Sequence, residues 1–241
     1  DEASKKMNQK GSGIQLGTAF KALKRLLANP QATEEVFTII NALSGPALKK
    51  GCQRFASTDY GKHVLATRVD LIQTLQNKEH LARLAENTLG SHYLRFVEKE
   101  QLTADGLVEA SQDEVTYTEM SEDLKRFATR QRDSHDLWHT LTQYGRNELG
   151  ELCLLAFTYA QTGNRGIGLI VLAGSIKMRK HYGLSVFSAV FRAYRDGKNC
   201  QWLPAQNWEL LLEKPIKQVR TKLGIQDPVA YQQLLATPAT A

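Results

Sequence analysis

The feature that most limits what this chain can fold into is its helical periodicity. Residues 14–28 set Ile14, Leu16, Phe20, Leu23, Leu26 and Leu27 along one face, with Lys21, Lys24 and Arg25 elsewhere. That is a basic amphipathic helix, of the kind that packs on a core or lies on a membrane. Asn29-Pro30 ends it, because proline pushes the preceding residue out of helical backbone. Thr33 reads as the N-cap of a helix over 34–43, and Gly45-Pro46 punctuates the start of the next. Helical patterns continue near 46–55, 60–75, 78–87 and 90–99, and again near 134–144, 148–162, 166–181, 184–196, 206–213, 215–223 and 228–236. Asp227-Pro228 supplies an N-cap followed by proline at the first helical position. Residues 101–123 are the least regular, and Val115-Thr-Tyr-Thr118 has the composition of a short strand. No solenoid repeat and no Pro/Gly/Ser-rich linker divides the chain. The pattern predicts one all-α domain over residues 1–241, with 1–13 a flexible N-terminal stretch.

Charge sharpens this picture by where it lies. Thirty-one Lys and Arg against 25 Asp and Glu give a net charge of +6. Residues 97–123 hold nine acids and one base, whereas 152–195 hold six bases and no acid. A nucleic-acid binder would not be divided this way, and none is expected as a partner. The acid-free stretch is also apolar, as in Ile167-Gly-Leu-Ile-Val-Leu-Ala173. Cations set among apolar residues suit an amphiphilic anion or an anionic membrane surface; a helix with a solvated basic edge is the plainer reading. The best apolar run, 166–176, has 11 residues, short of the ~20 that span a bilayer. Cys52, Cys153 and Cys200 are scattered and form no C-x-x-C pair, which fits a reducing compartment.

The chemistry concentrates in residues 130–151. His135 and His139 stand at i and i+4, so a helix stacks their rings on one face at the spacing two imidazoles need to grip one ion. Asp136 is close enough to ligate near the helix start or to orient an imidazole. Glu151 lies twelve residues past His139, about 18 Å along a straight helix and rotated about 120°. It reaches the same ion only if the chain folds back. Tyr144-Gly-Arg-Asn147 offers the break, Gly145 capping the first helix and Asn147 starting the second. Two imidazoles and carboxylates then make a mixed N/O site suited to Zn²⁺. The competing reading is a pair of hydrogen-bonded core histidines, with Glu148 and Glu151 complementing a helix dipole. Arg130, Arg132 and Arg146 flank the motif as candidates to receive an anionic head group, or as ordinary ion-pair partners. The apolar segment 166–190 is a candidate wall for a cleft between helices, or plain core.

The run His135-Asp136-x-x-His139, eleven residues, Glu151 resembles the motif of the coenzyme Q (ubiquinone) biosynthesis protein family, its fourth member. Gly145-Arg-Asn-Glu-Leu-Gly-Glu151, Thr88-Leu-Gly90-Ser-His-Tyr93, Asp59-Tyr-Gly61 and Arg130-Gln-Arg132 resemble it too, so the likeness runs over most of the chain. The resemblance implies an all-α homodimer, peripherally membrane-bound, with zinc on His135, Asp136, His139 and Glu151. It implies an apolar cleft for a polyisoprenoid tail and a role, within a multiprotein assembly, in removing the ring C1 carboxylate of a prenylated hydroxybenzoate. Mg²⁺ or another divalent ion is the alternative metal, and a non-catalytic isoprenoid carrier or scaffold the alternative function. A metal phosphohydrolase would need further ligands from His63, His80, His92 or His181. With no organellar leader visible, a cytoplasmic protein on the inner face of the membrane is expected.

Overall fold

The computed structural model describes residues 16–29, 33–100 and 120–236. Every element among them is helical: α1 Leu16–Ala28, α2 Thr33–Ser57, α3 Asp59–Thr67, α4 Leu71–Gln76, α5 Lys78–Arg83 and α6 Leu89–Lys99. After the undescribed stretch come α7 Glu122–Asp133, α8 His135–Thr142, α9 Glu148–Thr162, α10 Arg165–Tyr182 and α11 Ser185–Asn199. A 3₁₀ turn at Leu203–Ala205 leads to α12 Trp208–Leu211, α13 Ile216–Leu223 and α14 Val229–Ala236. The short strand expected at 115–118 and the flexible stretch at 1–13 lie outside the described residues.

Several boundaries differ from the sequence pattern, among them 78–87, which shortens to α5. Helix α2 runs unbroken through Pro46 for 25 residues. Proline there forfeits one intrahelical bond, and packing of α2 against α1 and α10 holds the helix across the gap. The pattern over 60–75 splits into α3 and α4 because Arg68 turns into the left-handed region at φ 57° and caps α3. The stretch 206–213 shortens to α12, preceded by the 3₁₀ turn.

Helix α9 is the centre of the molecule. It buries Leu149, Cys153, Ala156 and Phe157, and packs most extensively against α11, then α10. The α9–α11 approach is close enough to need Gly197, where a Cβ would stand 2.6 Å from the Phe157 carbonyl oxygen. Burial pushes the Cys153 thiol up to about 12, so it stays a neutral packing group. A second joint fixes α6. The N–H groups of Leu89 and Gly90 donate to Lys214 O and Leu212 O at 2.8 Å each, and Ile216 N–H donates to Asn87 O at 2.8 Å. The orphan donors at the α6 start are thereby satisfied by the α12–α13 turn, with Thr88 as side-chain cap. This anchors α6 against α8, the helix that carries the histidines.

Candidate metal centre and adjoining cavity

The chain folds back where the twelve-residue offset required it. Helix α8 ends at Gln143, left-handed at φ 62°, and Asn147 caps α9 by accepting from Gly150 N–H at 2.9 Å. The capping residue of α8 is thus Gln143, not Gly145. Gly145 serves another contact: its N–H donates to the Tyr231 hydroxyl at 3.0 Å, which also accepts from Asn147 Nδ2 at 2.7 Å. The loop then lies on the first turn of α9 so closely that a Cβ at Gly150 would meet Gly145 O at 2.0 Å. Glycine at 150 is what lets Glu151 reach the end of α8.

The three motif residues of α8 group together, and Glu151 comes back beside the two histidines. Ligand atoms of His135, Asp136 and His139 lie within 4.8 Å of one another. Glu151 Oε2 stands 3.2 Å from His139 Nε2 and 3.9 Å from His135 Nε2. His135 Nδ1 is 3.3 Å from Asp136 Oδ1. Arg146 closes the group, its Nε 3.1 Å from Glu151 Oε1 and its Nη1 3.5 Å from Asp136 Oδ1. His139 and Asp136 are buried; His135 and Glu151 are half-buried.

His139 Nδ1 lies 2.8 Å from the Tyr144 carbonyl oxygen. A carbonyl only accepts, so Nδ1 carries the proton and donates it. In the neutral ring, Nε2 then points a lone pair at the Glu151 carboxylate. Two acceptors facing at 3.2 Å call for a positive charge between them, a proton or a cation. The backbone-anchored imidazole is the arrangement found behind metal-bound histidine. A tetrahedral zinc with bonds of about 2.0–2.1 Å separates its ligands by about 3.4 Å, which the His139–Glu151 spacing matches. Phe96 stacks on His139 at 5.6 Å and 21°, fixing the ring plane. Both carboxylates sit below their ordinary range. Burial opposes this in each, and is outweighed at Asp136 by the His135 hydrogen bond and the His135, Arg146 and His139 charges. At Glu151 the His139 hydrogen bond and the charges of both histidines and Arg146 outweigh it.

The cluster opens on a cavity of about 1110 Å³ lined by α2, α7, α9 and α10, with smaller contributions from α1, α8 and α11. His135, Glu151, Arg132 and Arg146 stand in one part of its wall; Leu43, Ala47, Leu152, Leu155, Ile167 and Ile170 form an apolar part. The apolar segment expected to line a cleft does so through one face of α10, from Ile167 to Met178, but not beyond it. Of the three flanking arginines, the cavity takes Arg132 and Arg146. Arg132 also donates to Asp133 Oδ1, from Nη2 at 2.8 Å and Nε at 3.0 Å. Arg130 turns into a buried network, its Nη1 and Nη2 each 2.8 Å from a Glu209 oxygen and Nη2 2.9 Å from the Tyr60 hydroxyl. The metal-type grouping found among the described residues takes in none of His63, His80, His92 and His181.

Residues 9–229 match the family described as coenzyme Q (ubiquinone) biosynthesis protein Coq4. The chain belongs to this family. It is 28% identical over 190 residues to the mitochondrial ubiquinone biosynthesis protein COQ4 of Scheffersomyces stipitis, covering 78% of this chain and 58% of that one. Against the mitochondrial COQ4 of Podospora anserina it is 25% identical over 226 residues, 92% of this chain and 71% of the other. The chain therefore spans little more than half the length of the first of these relatives. A crystallised protein of Nostoc punctiforme PCC 73102, provisionally named for ubiquinone biosynthesis, shares the fold at a TM-score of 0.66 and 21% identity, over 89% of this chain and all of the other. These relatives overturn the cytoplasmic placement expected from the sequence, since the curated COQ4 proteins are named mitochondrial. The expectation rested on free thiols, which fit any reducing compartment, and on a leader not being visible. Among the described residues no helix is long and apolar enough to cross a membrane.

The other segments in which the sequence resembles Coq4 have structural roles. Thr88 caps α6 and Gly90 fits against Leu212 O. Tyr93 is buried, its hydroxyl raised by burial first and then by the Asp136 and Asp133 charges. Tyr60 belongs to the Arg130 network. The Tyr144 carbonyl, Phe96 and Tyr231 hold the site from outside the motif. A backbone oxygen, a residue 55 positions before Glu151 and one 80 positions after it leave no local signal in sequence.

Proposed function

We propose that this Coq4 protein acts in ubiquinone biosynthesis by promoting loss of the ring C1 carboxylate from a prenylated hydroxybenzoate at a zinc ion held by His135, Asp136, His139 and Glu151. The observation that carries this reading is the His135–Asp136–His139 grouping, with the Glu151 carboxylate 3.2 Å from His139 Nε2, beside a cavity that has an apolar part to its wall. Imidazole donors favour zinc over magnesium, which prefers an all-oxygen shell. When bound, the ion supplies Lewis-acid stabilisation of the negative charge that develops as the carboxylate leaves. The reaction breaks the ring–carboxylate bond, releases CO₂ and leaves a ring carbon that takes up a proton.

The chain's own residues orient and desolvate. Tyr144 O and Phe96 fix His139. Arg146 spans Asp136 and Glu151 and adds its charge to the histidine contacts that hold both carboxyls low, and with Arg132 it presents N–H donors to an anionic head group. The apolar wall takes the tail and excludes water, so these charges act in a low dielectric. We place the protein at a membrane surface as a homodimer, beside other proteins of the pathway. The size of the cavity alone suits the second reading, an isoprenoid carrier without turnover.

The test compares wild type with His139→Ala and with Glu151→Gln, the latter at a half-buried position. Bound metal is measured by elemental mass spectrometry, and decarboxylation on a prenylated hydroxybenzoate. Wild type is expected to hold about one zinc per chain and to turn over, and both variants to lose the two together. Full activity in metal-free variants sinks the catalytic reading. A co-purifying polyprenyl lipid without any turnover transfers the function to the carrier.

A further inference from the structure

The cavity has a second polar end that the metal centre does not use. Glu151 and Gln161 both line it and stand ten residues apart on α9, about 15 Å at 1.5 Å per residue. Around the Gln161 end the wall is cationic: Lys50 and Arg54 from α2, Arg165 from α10 and Lys198 from α11. Short contacts tie these elements together there. The Arg54 guanidinium lies 4.1 Å over the Trp202 ring, and Trp202 Nε1 donates to Gln161 O at 3.0 Å. Gln161 Nε2 donates to Gly197 O, beside Lys198, at 2.6 Å. All four cations are exposed, and none forms an ion pair with a described carboxylate.

We propose that this end is the lipid-facing mouth of the cavity, where Lys50, Arg54, Arg165 and Lys198 bind the phosphates of bilayer phospholipids. The proposal rests on an amphiphile occupying the cavity, as in the function proposed above, and adds the face through which it comes. An amphiphile entering here goes in head first, brings its head group to His135 and Glu151, and leaves its tail pointing back to the bilayer. A single cation in the last turn of α9 would be explained by that helix's negative end. Four cations from three other elements, at one end of a cavity with an apolar part to its wall, are not. A lipid surface is favoured over a free oxyanion by α1, which gives Leu26 to the cavity wall and carries Phe20, 70% exposed, next to Lys21. An aromatic beside lysines is the signature of a helix lying in an interface. The rival face is the apolar patch of Leu172, Ile176, Leu184 and Phe191, between 57% and 72% exposed. Helix α10 itself separates that patch from the cavity, because its opposite face, Ile170, Gly174 and Lys177, lines it. The patch therefore offers no way in.

Flotation of the full chain with phosphatidylcholine vesicles, with and without phosphatidylglycerol, tests this. The variants are Lys50→Glu/Arg165→Glu/Lys198→Glu and, at the rival face, Leu172→Asp/Ile176→Asp. Wild type is expected to float only with phosphatidylglycerol and to be released by salt. The triple variant should lose about a hundredfold in partitioning, from roughly 1 kcal/mol per cation, with its metal content and far-UV dichroism unchanged. The patch variant should float as wild type does. The proposal fails if wild type ignores anionic vesicles, if the triple variant floats normally, or if only the patch variant is lost. Inorganic phosphate is titrated calorimetrically in parallel. Phosphate binding that the triple variant loses, without vesicle binding in wild type, assigns the cations to a free oxyanion and overturns the mouth. Vesicle binding without decarboxylation leaves the mouth standing and sinks the catalytic reading alone.

Discussion

Replacing Glu209 by glutamine separates a structural Arg130 from one that serves the cavity. Arg130 is 4% exposed and its guanidinium is matched by both Glu209 oxygens. The Tyr60 hydroxyl donates to the same carboxylate, and Gln206 O accepts from Arg130 at 3.3 Å. Glutamine keeps a carbonyl acceptor but removes the charge, leaving a buried cation uncompensated. Breaking such a pair costs about 3–5 kcal/mol. The Glu209 side chain retains 22% exposure, which puts the expectation at the lower end, about 3 kcal/mol. For a chain of this size each kcal/mol moves the melting temperature by about 2–4 °C, so the variant should melt about 6–12 °C lower. Circular dichroism melts and urea midpoints read this directly. The Glu209 carboxyl is held below its ordinary range, because the bonds and charge of Arg130 and the Tyr60 bond outweigh the burial that would raise it. A depressed folded value stabilises the protein fully above the unfolded value of about 4.3, and that stability is lost as pH falls through the folded value. The gap between wild type and Glu209→Gln should therefore be constant at neutral pH and close in acid. Bound metal should not change. A variant that melts with wild type, or one that keeps its stability but loses binding of an anionic head group, would refute this and return Arg130 to the substrate.

Three further substitutions follow from the geometry. Tyr231→Phe removes the acceptor for Gly145 N–H and Asn147 Nδ2; it should cost about 1–2 kcal/mol in urea unfolding and weaken zinc up to about tenfold in a chelator competition. Gly150→Ala drives a Cβ against Gly145 O; overpacking of about 1–3 kcal/mol is expected, and metal loss should exceed that of Tyr231→Phe because Glu151 itself is displaced. Phe157→Ala empties a fully buried position on α9; about 3–5 kcal/mol of stability should go while the folded protein still takes up one metal, read by melting and elemental analysis.

The helices were legible because their apolar spacing and their caps point the same way. Asn147 shows this well: a good N-cap residue stands where a break was needed to bring Glu151 back, and it caps α9. Gly145 shows the opposite. Glycine after a helix suggests a left-handed cap, but Gln143 adopts that conformation and Gly145 instead makes room for Tyr231, 86 residues away. Arg130 carries two readings in the sequence, and the structure adds a partner that the sequence does not show. It neighbours the motif in sequence, while its partner Glu209 lies 79 residues on. Pattern near a site predicts which residues share a helix face. It does not predict which distant carboxylate claims a nearby cation, because that depends on how α7 and α12 pack.

The same distinction bears on the metal reading. Spacing alone left open whether His135 and His139 are ligands or hydrogen-bonded core residues. A core histidine satisfies both ring nitrogens with partners of opposite character, one donor and one acceptor. His139 meets acceptors on both sides, Tyr144 O at Nδ1 and Glu151 Oε2 at Nε2. Arg146 does not fill the gap, because it faces the other oxygen of Glu151. With a single proton on the ring, one contact is repulsive, so the arrangement is stable only with an added positive charge at Nε2. A second ring proton meets that need for His139, but it gives no reason for His135 Nε2 to point at the same carboxylate oxygen, 3.9 Å away. One ion shared by both imidazoles and the carboxylate would account for both contacts at once, and that is the ground on which ligation is proposed above.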